Sequence, residues 1–183
     1  MKMRVRRLKL PMDRIGVAIG PEGRVKKRIE DKTGTTLSMS SESGQVIIES
    51  TDDNPLGVLT AKDVLTAIGR GFSPTRAYRL FDEQSYLEVL DITSYTGRSV
   101  KAQNRYKGRL IGERGKTRRI IEETTDASLS IYGKTVSFIG APEQLNIVRE
   151  AVKMILSGAP HSAVYSFLER KRREQKRKPT LWR

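Results

Sequence analysis

Cysteine is absent from this 183-residue sequence, and histidine occurs once, at His161. The lack of cysteine excludes disulfides and thiolate metal sites, and one histidine is too few for an ordinary zinc centre or a Ser-His-Asp triad. His161 follows Gly158, Ala159 and Pro160, a setting that favours a surface or capping role. We expect no metal site and no cofactor.

Long apolar runs are also missing. None approaches the roughly 18 residues that a membrane-spanning helix needs, and the opening residues, MKMRVRRLKLP, lack the apolar stretch of a signal peptide. The hydrophobic fraction of 37% is nevertheless enough for packed cores. We therefore expect a globular, cytoplasmic protein of one large domain or two small ones, with no membrane contact.

Acidic residues are the minority, with 21 Asp and Glu against 35 Lys and Arg, which gives a net charge of +14. This balance favours a polyanionic partner such as nucleic acid.

The acidic residues that do occur together form the pairs Asp52-Asp53, Asp82-Glu83 and Glu122-Glu123. A metal-dependent nuclease needs several carboxylates that converge on a cation, whereas neighbours on a helix point apart. A Walker loop, H-E-x-x-H and G-x-S-x-G are absent as well. We predict a protein that is not an enzyme and has no catalytic residue.

An internal repeat is the strongest organisational signal. An ungapped alignment of residues 16–40 with residues 108–132 gives nine identical positions of 25. They are Gly16, Ile19, Gly20, Gly23, Ile29, Glu30, Thr33, Leu37 and Ser38 in the first copy.

Each copy predicts the order strand, helix, glycine turn, helix, strand, strand, helix, and hence an α+β fold. The strands are expected at residues 5–10, 36–40 and 45–49, and again at 86–92, 128–132 and 135–139. The closing helices are expected at 54–68 and 142–156, with residues 72–84 as the connector.

The segment RYKGRLIGERGKTRR, residues 105–119, places Gly112 and Gly115 inside a basic cluster. A glycine pair permits a sharp turn and close approach of a ligand to the backbone. The amides that open the next helix then point outward with the positive end of its dipole, and they can receive phosphate oxygens. We predict that this copy binds a nucleic-acid backbone.

The I-G-x-x-G motif with its basic helix and paired strands resembles the KH domain, in which such a loop holds about four nucleotides of a single strand. Nearly the whole chain is similar to archaeal two-KH proteins related to the small-subunit ribosome assembly factor called Dim-two or partner of Nob. The segments that carry this wider resemblance are GFSPTRAYRLFDEQSYLEVLDI, YGKTVSFIGAPEQLNIVREA and GAPHSAVYSFLERKRR. It implies two tandem type I KH domains (β-α-α-β-β-α) at residues 1–71 and 86–160, a connector at 72–85, and a basic helix and tail at 161–183.

The same resemblance implies a function and partners. The expected ligand is the 3′ region of small-subunit pre-rRNA, bound as single-stranded RNA. The expected protein partners are the maturation endonuclease and a translation initiation factor subunit, and the chain is expected to be a monomer. The alternative is another KH adaptor, such as a sister assembly factor, whose first domain mainly recruits a protein.

The residues expected to bind RNA lie in the second copy. They are Lys107, Gly108, Arg109, Ile111, Gly112, Glu113, Arg114, Gly115, Lys116, Arg118 and Arg119. We also predict that aspartate at both Gly112 and Gly115 abolishes most specific RNA binding without unfolding the protein, because a carboxylate takes the space of a phosphate.

The first copy is expected to make a secondary contact with RNA or protein. Its residues are Gly20, Pro21, Glu22, Gly23, Arg24, Lys26 and Lys27. Pro21 removes a loop amide, and Val17 stands where the second copy has Arg109. Phosphate binding should be weaker there.

The C-terminal segment ERKRREQKRKPTLWR is strongly basic. A helix is predicted from Ser162 through Leu168, with a mobile remainder. Two interpretations stay open for the remainder: a solvated charge run, or an arm that folds on RNA, with Trp182 as a stacking group.

Overall fold

The computed structural model describes residues 4–50 and 54–177. The chain divides into two compact units, with the boundary between Leu87 and Glu88. Within the described residues, no helix is both long and apolar enough to cross a membrane.

The first unit contains the expected order of elements, in which a 3-10 turn, Pro21–Gly23, forms the glycine turn. Its strands and helices are β1 (Arg4–Lys9), α1 (Met12–Ile19), α2 (Arg24–Thr33), β2 (Thr36–Met39), β3 (Gln45–Ser50) and α3 (Pro55–Gly69). The connector then forms α4 (Pro74–Ala77) and a 3-10 turn, Tyr78–Phe81.

The second unit repeats this order around a 3-10 turn at Glu113–Gly115. Its elements are β4 (Tyr86–Asp91), α5 (Thr93–Thr96), α6 (Val100–Ile111), α7 (Lys116–Thr125), β5 (Ser128–Tyr132), β6 (Thr135–Gly140), α8 (Pro142–Leu156) and α9 (His161–Arg177). The predicted strands and closing helices therefore agree with the structure to within one residue at each end.

Each unit has one three-stranded sheet, ordered β1-β3-β2 in the first and β4-β6-β5 in the second. The last strand in the chain order of each sheet lies in its centre. Alternation along β3 buries Val46 and Ile48, and Leu37 of β2 pairs with Ile48. The apolar side chains of the second sheet and of helices α6 to α9 likewise form one core.

The structure explains several residues that are identical in the two copies of the repeat. The amide of Leu37 donates to Glu30 Oε1 at 2.7 Å, and the amide of Leu129 donates to Glu122 Oε1 at 2.7 Å. Each glutamate thus fixes a helix to the strand that follows it. The buried hydroxyl of Thr125 donates to the Ile121 carbonyl at 2.7 Å, as its counterpart does in the first unit.

An ion pair fixes the second sheet to α8. The Arg149 guanidinium donates to both carboxylate oxygens of Glu88, each at 2.5 Å. These hydrogen bonds raise the pKa of Arg149, so the guanidinium stays charged.

The C-terminal helix buries Val164, Phe167 and Leu168, as predicted. It continues through Arg177, so the expectation of a mobile segment directly after Leu168 was wrong for residues 169–177. Helical ion pairs such as Lys171 with Glu174 support this extension. Trp182 and the pair Asp52-Asp53 lie outside the described residues.

Candidate nucleic-acid interface

The turn between α6 and α7 owes its shape to three residues with positive φ. Gly112 has φ 75° and ψ 173°, Arg114 has φ 49° and ψ 32°, and Gly115 has φ 76° and ψ 14°. The Gly112 amide donates to the Gly108 carbonyl at 2.8 Å and so ends α6. The Gly115 amide donates to the Gly112 carbonyl at 3.1 Å, after which α7 begins at once.

Gly112 is required by internal packing. A Cβ on this residue would lie 2.6 Å from the backbone nitrogen of Thr117, far inside van der Waals contact. The expectation that aspartate at Gly112 leaves the fold intact is therefore wrong: the side chain would collide with the first turn of α7.

Gly108 and Gly115 are different, because no atom lies within 4 Å of a Cβ built on either one. Gly108 is within α6, where glycine is less favourable than alanine by roughly 0.5–1 kcal/mol. Packing inside the protein does not require this glycine. The open space beside both residues suits close approach of a ligand to the backbone.

Positive charge surrounds this open space. The exposed side chains are Ile111, Glu113, Arg114, Lys116, Arg118 and Arg119, while Lys107 is half-buried. Arg118 is 3.7 Å from Glu122, and Arg119 donates to the Arg114 carbonyl at 3.2 Å. Within the described ranges, the Arg114 and Lys116 side chains contact no carboxylate, which leaves both charges available to an anion.

Arg109 is placed differently from the expected site. Its guanidinium donates to the carbonyl oxygen of Ile155, at 2.6 Å, and to that of Ala159. It therefore closes the C-terminal end of α8 and does not point to the glycine loop. This geometry argues against an RNA contact by the guanidinium, since carbonyls of its own domain occupy two of its nitrogens, and the contact expected at Arg109 stays a prediction.

The first unit has a glycine loop of the same shape. Gly20, Glu22 and Gly23 have φ values of 73°, 54° and 73°, close to those of the second loop. The two loops differ in chemistry: Pro21 has no amide hydrogen, and Glu22 forms an exposed ion pair with Arg24 at 2.6 Å. The remaining cations named from the sequence, Lys26 and Lys27, lie on α2.

The first unit also has a counterpart of the Arg109 contact. Arg14 donates to the carbonyls of Ile68, at 2.8 Å, and Phe72, at 2.7 Å. Val17, which has the repeat position of Arg109, therefore does not deprive the first unit of this contact.

The start of α9 contacts the two helices that flank the second loop, and the sequence did not indicate the contact of Tyr165 with Thr117. The Tyr165 hydroxyl and the Thr117 hydroxyl lie 2.8 Å apart, and Thr117 is in the first turn of α7. His161 Nε2 is 2.9 Å from the Arg109 carbonyl oxygen, in agreement with its expected capping role. The rings of His161 and Tyr165 stack with their centroids 6.0 Å apart.

The described acidic pairs are Asp82-Glu83 and Glu122-Glu123. In the portion of the chain that the structure describes, no three Asp, Glu or His side chains converge as metal ligands would. Glu122 binds the Leu129 amide, which gives this carboxylate a structural role.

Comparison with known proteins agrees with this geometry. Residues 86–173 match the eukaryotic-type KH domain, or KH domain type I, and residues 5–67 match the KH domain. A KH domain-containing protein of Methanocaldococcus jannaschii is 46% identical over 179 residues, which are 96% of this chain and 78% of that protein.

A solved relative is the aDim2p component of the a/eIF2alpha-aDim2p-rRNA complex from Pyrococcus horikoshii. It is 45% identical, with a TM-score of 0.88 over 94% of this chain and 96% of that chain. The chain belongs to the archaeal Dim2p family of proteins with two KH domains. The resemblance noted in the sequence and the tandem α+β fold with a C-terminal helix are therefore confirmed.

The Dim2p family also has a eukaryotic branch. The pre-rRNA-processing protein PNO1 of Chaetomium thermophilum is 31% identical over 108 residues, which are 58% of this chain and 42% of that protein. KH proteins of this family are RNA-binding proteins and not enzymes, as expected from the sequence.

Proposed function

We propose that this Dim2p-family protein acts in the cytoplasm on small-subunit pre-rRNA, where it holds the single-stranded 3′ region and assists the maturation endonuclease. The second KH domain is the main RNA-binding site. The relative from Pyrococcus horikoshii is found with rRNA, and the matched fungal relative is a pre-rRNA-processing protein.

The observation that carries the proposal is the open backbone beside Gly108 and Gly115. Gly108 leaves room for a strand beside α6, and Gly115 leaves room at the start of α7, where the helix dipole favours anions. Arg114 and Lys116 supply charges that form no ion pair with a carboxylate in the described part of the chain. Exposed Ile111, with 39% of its surface accessible, offers an apolar contact for a ribose or base.

The first domain has the same loop geometry and weaker chemistry. Phosphates at Gly20–Gly23 would meet Pro21 in place of an amide donor, and Glu22 competes for Arg24. We assign this loop a secondary backbone contact. Tight binding would then come from two linked sites acting at a high effective concentration.

An initiation factor subunit is the second proposed partner. Its support is the a/eIF2alpha subunit in the complex of the Pyrococcus horikoshii relative. We place no residue of this chain at that interface.

The test is a competition binding assay with single-stranded oligonucleotides from the 3′ end of small-subunit rRNA and shuffled oligonucleotides of equal length. Gly115→Asp introduces a carboxylate at the open position. Gly115→Asn is the matched control, because asparagine has the same shape, tolerates positive φ and carries no charge. Gly23→Asp and Gly23→Asn test the first loop in the same way, because a Cβ at Gly23 also meets no atom within 4 Å.

We expect the native oligonucleotide to compete better than the shuffled one, and Gly115→Asp to weaken its binding far more than Gly115→Asn. The Gly23 pair should have a smaller effect. Equal binding of native and shuffled RNA would reject the preference for the 3′ region. Equal affinity of wild type and a folded Gly115→Asp protein would reject the second loop as the RNA-binding site.

A further inference from the structure

The end of α9 extends beyond what the core of the second domain needs. Residues 169–177 have no buried side chain, whereas Val164, Phe167 and Leu168 in the preceding two turns are buried. Six of these nine residues are basic and two are acidic. Packing does not account for a helix that continues here with so much positive charge.

The first domain shows where the equivalent segment stops. Tyr78 and Leu80 precede Tyr165 and Phe167 by the same 87 residues that separate the starts of α3 and α8. In the first domain the helical segment ends at Phe81, and Asp82 is extended. The second domain alone adds about two and a half further turns.

The added turns are fixed relative to the glycine loop. Tyr165 contacts Thr117 in the first turn of α7, and His161 contacts the carbonyl of Arg109 at the end of α6. With a rise of 1.5 Å per residue, Arg173 and Arg177 lie roughly 12 and 18 Å along the helix from Tyr165. At these distances, the added turns would contact a part of an RNA strand that the loop itself does not contact.

The charges of this segment are not all neutralised. Glu169 contacts Arg172, and Glu174 contacts Arg170 and Lys171. Within residues 54–177, no carboxylate pairs with the remaining exposed cations. These are Arg173, Lys176 and Arg177. Arg173 is nine residues after Val164, half a rotation from the buried face.

We propose that Arg173, Lys176 and Arg177 bind backbone phosphates of RNA nucleotides that flank the segment held at Gly112–Gly115. The inference rests on the proposed function, because it extends the same strand from the loop along α9. Arginine binds phosphate through two parallel hydrogen bonds, and two of the three residues are arginines. An acidic protein surface is the competing partner, but no observation would place such a surface beside the loop.

The experiment compares a short 3′-end oligonucleotide of about four nucleotides with the same core extended by about eight uridines on its 5′ or 3′ side. The variant is Arg173→Gln/Lys176→Gln/Arg177→Gln. Its side chains are exposed, so circular dichroism should show unchanged folding. Lys62→Gln/Lys153→Gln removes exposed charge from α3 and α8 as a control for general electrostatics.

We expect one of the two extensions to increase wild-type affinity about tenfold at low salt, and the triple variant to lose that gain while it binds the short core normally. The slope of log K against log salt for the extended RNA should fall by about 2, or roughly 0.7 for each lost phosphate contact. Glu169→Gln/Glu174→Gln should act in the opposite direction and strengthen binding of the extended RNA.

The inference is overturned if neither extension helps, or if the triple variant keeps the full gain. It is also overturned if the variant weakens binding of the short and the extended RNA equally. Poly-glutamate serves as a probe for an acidic protein surface, and a variant that loses binding to poly-glutamate but not to RNA would likewise overturn the inference. Failure of the proposed function is a separate result: the short core would then be insensitive to Gly115→Asp, whatever α9 does.

Discussion

Arg109 lies one helical turn later in α6 than Arg14 lies in α1, yet the two side chains hold equivalent carbonyls. Arg14 donates to Ile68 and Phe72, and Arg109 donates to residues 87 positions further along, Ile155 and Ala159. The two domains therefore fix their closing helices by the same contact, reached from different sequence positions.

This contact predicts that Arg109→Met destabilises the second domain by about 2 kcal/mol, because a charged donor is lost and two carbonyls lose their partner. RNA binding by the fraction that remains folded should change little, since the guanidinium does not face the loop. Hydrogen exchange of amides in α8 and the start of α9 would report the local loss.

Lys101→Met is the control for Arg109→Met, because Lys101 is an exposed cation on the same helix. A folded Arg109→Met protein with greatly weakened RNA binding and unchanged amide protection would instead support a direct RNA contact by Arg109.

Alanine substitutions should separate the two loop glycines. Gly112→Ala places a methyl group 2.6 Å from the Thr117 nitrogen, whereas Gly115→Ala meets no atom within 4 Å. Both substitutions also bear backbone strain, which is of order 1 kcal/mol for Gly115→Ala in the left-handed region. It is larger for Gly112→Ala, up to about 3 kcal/mol, because φ 75° with ψ 173° is a conformation that is essentially restricted to glycine. We expect Gly112→Ala to lower the unfolding midpoint in urea clearly more than Gly115→Ala, and equal midpoints would contradict the clash with Thr117.

Gly108→Ala should have two effects of opposite sign. It should stabilise the free protein by roughly 0.5–1 kcal/mol, because alanine favours the helix and its Cβ meets open space. It should weaken RNA binding, since the methyl group narrows the approach to the backbone. Urea unfolding and oligonucleotide binding on the same preparations measure both quantities.

Gly16→Ala is the matched variant for Gly108→Ala in the first domain, where the Cβ also meets no atom within 4 Å. It should give a similar gain in stability and a smaller loss of RNA binding. If Gly108→Ala binds RNA as well as wild type, the strand does not approach α6.

The sequence predicted the helices and strands well because the patterns that indicate them are local. Alternation along strands, apolar spacing along helices and the glycine turns depend on neighbouring residues, and the 92-residue repeat reinforced each one. The identity at Glu30 and Glu122 had a simple origin, since each carboxylate accepts the amide seven residues later.

The sequence was least informative where a side chain finds a distant partner. Arg109 looked like a loop cation because it is next to Gly108, but its acceptors are 46 and 50 residues away. Thr117 and Tyr165, 48 residues apart, were missed for the same reason. Only the matching position of Tyr78 in the first domain offered a signal for Tyr165.

Glu122→Ala should destabilise the second domain by about 1.5–3 kcal/mol, because the Leu129 amide loses a charged acceptor in a partly buried setting. Glu122→Gln keeps an acceptor oxygen and should lose less. The exposed neighbour provides the control, since Glu123→Ala should stay within about 0.5 kcal/mol of wild type. Urea unfolding measures all three, and equal effects at both positions would contradict a structural role for Glu122.

The cations of the second loop predict a particular dependence on salt. If the loop and its flanks neutralise about four phosphates, log K should fall with log salt at a slope of roughly −3 for the short RNA. Arg114→Gln and Lys116→Gln should each reduce the magnitude of that slope by about 0.7, because neither cation is engaged by a carboxylate among the described residues. Arg118→Gln should reduce it less, since Glu122 lies 3.7 Å from that guanidinium.

Fluorescence titrations between low and moderate salt give these slopes, and Lys153→Gln on α8 controls for net charge. Unchanged slopes for Arg114→Gln and Lys116→Gln would mean that the strand contacts the loop through backbone amides and apolar surface alone.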